Sequence, residues 1–506
     1  MTATNGKDQL SHTRLATILL VGTIVRFVYG YYSKAWMGAP DQLAWGIGLD
    51  EMIAGGKWNY VQLTHAPHEG GSFFISLLSL PFRGLAGILP PLSFAALLLD
   101  LLGRWIMIRI AQRLAGKTTA AWFGLWTILS VPALLPWTTV NFGLHAIFGF
   151  IPFVFIYFFK RFENSPKLPL VCGIVSGLAV SLCYDSIVLP LAFMLLLLTA
   201  RGEGKKRVVQ VMVFLLSFFI TMLPHILVRS WLQNPEALTM GTGLSIRGVP
   251  LVGAFTARQL SHLFTVPLTS LPGSLLLSAP YFFPAIVLWG LVIAFLTGGS
   301  FLFLRQPQDG KLRLLCIWVV SVFIVLYAAG PFGGTDYHNR SYVYYRHLTY
   351  ILPFIVFMVM WGWAGSTWKK PVLCGWLILC AAAVAGYAWQ SAKMQQPAYR
   401  AAGWVLARKY GNNADHLFRM RMVVPPGAQQ ELITGFGWGM SSTILQQQHD
   451  PAAAQRVCEL ISHCPDAYRQ DLIGGIHYSF SKGITPVLDP RLEISVLECL
   501  NKAQPK

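Results

Sequence analysis

A 506-residue chain that is 54% hydrophobic and only 12% charged departs from ordinary soluble domains, in which about a quarter of residues are charged. The formal net charge of +18 invites a nucleic-acid partner. The basic residues, however, are scattered through short loops between apolar runs, which excludes a nucleic-acid surface and fits an all-α polytopic membrane protein.

The first apolar run, Leu15 to Tyr32, contains Arg26 and lacks a small-residue cleavage site, so it reads as a retained span rather than a leader. Runs of the length a membrane helix needs predict eleven spans, at 14–33, 92–112, 119–136, 143–159, 168–184, 186–200, 208–228, 281–304, 314–330, 347–364 and 371–389. Alternate connections are basic: Arg109, Arg113 and Lys117; Lys160, Arg161 and Lys167; Arg201, Lys205, Lys206 and Arg207; Arg305, Lys311 and Arg313; Lys369 and Lys370. Intervening short loops such as Pro136 to Asn141 and Tyr184 to Asp185 carry no Lys or Arg, so the positive-inside rule predicts a cytoplasmic N-terminus.

Residues 1–389 therefore read as a transmembrane domain. Residues 34–91 form its first extracytoplasmic loop, with interfacial helices, and 229–280 form a long extracytoplasmic loop. Phe73 to Leu89 is apolar enough to span, but counting it would move the Arg104–Lys117 charges outside, so it is predicted to lie in the outer interface or dip into it. Asp100 and Arg104, spaced i, i+4 inside a span, read as a pair that neutralises itself within the bilayer.

Residues 390–506 turn polar and helical and are predicted to form an extracytoplasmic helical-repeat domain. Its repeat aligns 431–441 (ELITGFGWGMS) with 471–481 (DLIGGIHYSFS), an offset of 40 residues, which predicts stacked helices with glycines at their packing faces. Cysteines 172, 183, 316, 374 and 380 lie in or beside apolar spans and read as small buried hydrophobes. Among Cys458, Cys464 and Cys499 a disulfide is worth considering; pairing of Cys458 with Cys464, or of either with Cys499, stays open.

The polar stretch after the first span, Pro40 to Ser72, holds Asp41, Asp50, Glu51, Glu69, His65 and His68. Asp41-Gln42 with Trp45, the helix exit Gly55-Gly56-Lys57-Trp58, the turn Pro67-His68-Glu69-Gly70-Gly71 and the basic turn Arg113-Leu114-Ala115-Gly116 resemble the first outer loop of GT-C membrane glycosyltransferases. That superfamily includes the protein O-mannosyltransferases and the transferase that puts aminoarabinose on lipid A. Tyr345-Arg346-His347, with Pro353 further on, is similar to the motif opening a late span of these enzymes. Two departures stand out: Gln42 occupies the place of a second acid, and no Lys lies in the His68–Gly71 turn.

The resemblance implies a glycosyltransferase of a bacterial inner membrane. It would move a sugar from a polyprenyl-phosphate donor to a lipid, glycan or protein acceptor at the extracytoplasmic face. Attack on the anomeric carbon needs a base for the acceptor proton, and the resemblance puts Asp41 in that role; read alone, Asp41 is equally a helix N-cap. His65, His68 and Glu69 are candidates to bind substrate beside Gly70-Gly71, with a divalent cation as an alternative ligand; no metal site is assigned. Asn141 and His145, one helical turn apart, and Asp185 in the hairpin 183–186 are further outer-face binding candidates. Arg340 and Arg346 are candidates for the donor phosphate; without a ligand, they and the nearby tyrosines read as an interfacial belt. Two rival readings remain, a non-catalytic scaffold and a lipid transporter or flippase. Against the transporter, no duplicated halves are visible.

Overall fold

The structure is a computed structural model that describes residues 10–33, 70–85, 91–129, 146–199, 204–232, 285–306, 310–329, 337–393, 426–446 and 453–481, with short pieces near 399–421 and at 498. All regular structure among these residues is helical. The helices are α1 (His12–Ser33), α2 (Gly70–Ser79), α3 (Pro91–Leu129), α4 (Ile151–Phe162), α5 (Leu168–Leu182), α6 (Val188–Thr199) and α7 (Gly204–Leu232). They continue as α8 (Ala285–Arg305), α9 (Gly310–Ile324), α10 (Tyr337–Ala364), α11 (Lys369–Lys393), α12 (Pro426–Gln446), α13 (Ala453–His463) and α14 (Arg469–Ser481). The chain forms two compact units, one built mainly from 95–389, the other mainly from 390 onward with 79–94 added.

Five described helices are long and apolar enough to cross a bilayer: His12–Tyr31, Gly204–Leu227, Gly310–Ala328, His347–Ala364 and Lys369–Gly386. The predicted spans two and three form one run, α3, broken at Gly116 (φ 81°, ψ 174°). A left-handed residue there suits glycine alone, and it makes the predicted Arg113–Gly116 basic turn. Span four begins later than predicted, at Ile151 rather than 143, because 146–150 form turns and Pro152 sits in the first helical turn. Helix α7 runs to Leu232, past the predicted loop start at 229. The Phe73–Leu89 segment starts inside the ten-residue α2, which is followed by a 3-10 turn at Leu80–Leu85. Ten residues rise about 15 Å, half the hydrocarbon thickness of about 30 Å.

Small residues let membrane helices approach closely where lipid offers no hydrophobic drive for association. A Cβ on Gly177 of α5 would stand 2.7 Å from the Phe218 carbonyl oxygen of α7. Elsewhere aromatic rings fill the unit: Phe123 and Phe153 are 5.5 Å apart, and Phe153 meets Phe354 edge-on at 5.5 Å. The predicted Asp100–Arg104 pair forms, with Arg104 Nε 2.7 Å from Asp100 Oδ2, and Arg26 of α1 joins it at 2.9 Å.

In the second unit the repeat becomes a glycine-packed helix stack. A Cβ on Gly435 would meet the Arg400 carbonyl oxygen at 2.1 Å, one on Gly437 the Leu472 carbonyl oxygen at 2.1 Å, and one on Gly475 the Thr434 carbonyl oxygen at 1.9 Å. The aligned glycines 435 and 475 thus each meet another segment's backbone, Gly435 that of residue 400 and Gly475 that of α12. Gly474, next to Gly475, has nothing within 4 Å of its Cβ position. Gly475→Ala is therefore expected to lower stability by about 1–3 kcal/mol, since a backbone atom cannot give way. Gly474→Ala should raise it by up to about 1 kcal/mol through helix propensity. Thermal unfolding of both variants in detergent checks the pair; equal shifts would contradict the packing.

Cys458 is disulfide-bonded, whereas Cys464 is a free, buried thiol, so a Cys458–Cys464 bridge is excluded. Burial pushes the Cys464 thiol up to about 12, so it stays protonated and unreactive.

Candidate functional site

Asp41, His65, His68 and Glu69, and also Asn141 and His145, lie outside the described residues. Arg340 and Arg346 fall on the first turns of α10. Asp185 is described fully, and its surroundings make the best-defined polar site within the membrane unit.

The hairpin that carries it is short. Helix α5 has 15 residues and α6 has 12, rising about 22 and 18 Å, less than the roughly 30 Å hydrocarbon core. Both open ends meet basic loops, so the 3-10 apex Tyr184–Ile187 stops short of the far surface. Asp185 there is completely buried.

Two other elements bring partners to the same depth. Helix α9 ends in a π turn, Val325–Ala329, a local widening common at functional positions, and it carries Tyr327. Helix α10 contributes His347. Leu168 to Asp185, Gly310 to Tyr327 and His347 to Ala364 are equal separations of 17 residues from the basic ends of their segments, about 25 Å of helical rise. The three side chains therefore meet in one layer.

The Tyr327 hydroxyl donates to Asp185 Oδ1, and His347 Nδ1 lies 2.9 Å from the same oxygen. A carboxylate only accepts, so Nδ1 carries the proton that faces Asp185. Nε2 lies 3.1 Å from the Tyr184 hydroxyl. The Tyr327 ring stacks on the imidazole at 4.7 Å, and the Tyr184 ring meets it edge-on at 5.5 Å. One residue on, Ser186 Oγ and the Tyr350 hydroxyl are 2.9 Å apart. Asp185 thus fixes the tautomer and orientation of an imidazole that tyrosines clasp on two sides.

Sequence reasoning singled out Asp185 but assigned no role to His347 or Tyr327. A histidine within one turn of a span's start was a usable signal; Tyr327 had none, because nothing in its local sequence marks a π turn. Among the described residues, no three His, Cys, Asp or Glu side chains group as metal ligands would.

The helical layout and the apolar spans define a multi-pass membrane protein. No protein-family model matches the chain, and no curated protein matches it in sequence. In structure it is similar to ArnT from Cupriavidus metallidurans bound to undecaprenyl phosphate, at 16% identity and a TM-score of 0.45, over 94% of this chain and 78% of that one. It is also similar to the Archaeoglobus fulgidus oligosaccharyltransferase in its apo form, at 14% identity and a TM-score of 0.45, over 80% of this chain and 59% of that one.

Proposed function

We propose that the chain is an integral-membrane glycosyltransferase. It moves a sugar from a polyprenyl-phosphate donor to a lipid, glycan or protein acceptor at the extracytoplasmic face of a bacterial plasma membrane, with the N-terminus cytoplasmic and the region after 389 outside. The observation that carries this reading is the resemblance of the Asp41–Trp58 loop and the Tyr345-Arg346-His347…Pro353 stretch to the GT-C enzymes. Asp41 takes the acceptor proton as the carbon–oxygen bond forms and polyprenyl phosphate leaves. His65, His68, Glu69, Asn141 and His145 line the substrate side, and Arg340 or Arg346 neutralises the departing phosphate. Asp185, buried and engaged by Tyr327 and His347, acts one step removed: it anchors the start of α10, on which both arginines lie.

A general base is worth roughly 100- to 10,000-fold. Asp41→Asn in membranes supplied with a polyprenyl-phosphate sugar is expected to lower transfer by at least about a hundredfold, while the protein still retains the lipid as seen by mass spectrometry. Unchanged transfer would favour the second reading, a non-catalytic scaffold, which Gln42 in place of an acid specifically supports.

A further inference from the structure

At the basic end of the membrane unit, two guanidinium groups converge on one neutral acceptor. Arg113, from the turn that Gly116 breaks, donates from Nη1 to the Tyr157 hydroxyl at 2.7 Å, and its guanidinium lies 5.2 Å from the Tyr157 ring centroid. Arg161, one turn beyond Tyr157 on α4, reaches the same hydroxyl at 3.4 Å. Both arginines are exposed, and among the described residues neither contacts a carboxylate. The nearby acid, Glu163, accepts from Lys160 at 2.8 Å. With Lys167 exposed at the start of α5, this end of the helix pair carries a clear excess of positive charge.

An apolar groove opens directly beside it. Helices α4 and α5 part to leave a cleft of about 450 Å³ whose lining includes Val154 and Phe158 from α4 and Val171, Ile174 and Leu178 from α5. The Tyr157 ring meets the groove-lining Phe158 edge-on, with centroids 5.7 Å apart, so the arginine cluster adjoins the groove's basic end. On α5 the lining runs from Val171 to Leu182, about 16 Å of helix, against roughly 15 Å for one leaflet of hydrocarbon. Ile174 and Leu178 remain 40% and 54% exposed, so a chain lying there would cover apolar surface that the protein leaves open.

We propose that this groove and the Arg113–Arg161 pair form a binding site for one anionic phospholipid of the leaflet on the basic side. An acyl chain lies between α4 and α5, and the headgroup phosphate bridges the two guanidinium groups. Guanidinium forks match phosphate oxygens, and basic pockets between membrane helices suit anionic headgroups. A surrounding bulk lipid would meet neither a concave apolar channel nor paired cations at its mouth. By the positive-inside argument this is the cytoplasmic leaflet, opposite the face proposed for sugar transfer, and the site does not depend on that activity.

Native mass spectrometry of the full chain, loaded separately with phosphatidylglycerol, phosphatidylcholine and inorganic phosphate, tests the assignment. One phosphatidylglycerol should be retained per chain, at least tenfold more tightly than phosphatidylcholine. The double variant R113Q/R161Q should lose that preference, and Ile174→Trp, which fills the groove, should weaken retention while the arginines remain. Since all three side chains are exposed, unchanged thermal unfolding of each variant shows that the effect is local. Equal retention of both lipids, retention unaffected by either variant, or phosphate bound as tightly as the lipid overturns the proposal.

Discussion

Replacing Asp100 by alanine is expected to cost about 3–5 kcal/mol of stability, the usual penalty for removing one partner from a buried ionic group. Asp100 Oδ2 is 2.9 Å from Arg26 Nε and 2.7 Å from Arg104 Nε, and all three side chains are at most 6% exposed. Arg104 also donates to the Leu19 carbonyl at 3.3 Å and to Thr23 Oγ1 at 2.7 Å, and Arg26 to the Gly22 carbonyl at 3.0 Å. Those neutral acceptors hold the guanidinium groups in place but do not balance their charge at membrane depth, where an unbalanced cation is costly. Gly22 belongs to the same arrangement, since a Cβ there would stand 2.2 Å from Arg104 Nη1.

The cluster's energetics separate charge from packing. Changing all three residues together, Asp100→Leu with Arg26→Met and Arg104→Met, should recover most of the loss. A buried triad replaced by apolar groups of similar volume is often neutral or stabilising. Denaturant unfolding in detergent measures both variants. A single substitution that costs under about 1 kcal/mol, or a triple variant no better than the single, would show that the carboxylate is not what balances the two arginines.

Asp185→Ala is expected to be nearly as damaging to the protein, at about 3 kcal/mol, and more informative about function. It strips the imidazole of the acceptor that sets its tautomer and leaves the Tyr327 hydroxyl buried. The first turns of α10 then lose one of their ties to the α5–α6 hairpin, with the Ser186–Tyr350 and Tyr184–His347 contacts left, so amide exchange around 340–350 should accelerate. Under the proposed function, donor affinity should fall with it, because Arg340 and Arg346 lie on those turns. His347→Gln should be milder, as an amide can donate to Asp185 and accept from Tyr184. Exchange by mass spectrometry reads this directly; α10 amides as protected as in the parent would remove Asp185 from any anchoring role.

Much of this architecture could be read from residues in order. The resemblance put a basic turn at Arg113 to Gly116, and the structure breaks α3 there at a positive φ that suits glycine. The i, i+4 spacing of Asp100 and Arg104 guaranteed a shared helix face, and their ion pair forms. The glycines of the 40-residue repeat marked packing faces, and the backbones do meet at them. Each of these is a local matter, settled by dihedral preference or helical period within a few residues.

What the sequence by itself determined, then, is an all-helical membrane chain, its basic loops and the short-range pairs along its spans. Only the tertiary structure decided that Arg26 completes the Asp100 cluster, that Tyr327 and His347 meet Asp185 from more than 140 positions away, and that Arg113 and Arg161 share one tyrosine. The physical reason is that one apolar helix face looks much like another from the sequence. Which spans become neighbours depends on close fit at small residues and on where buried polar groups find partners, and those are properties of the assembled bundle.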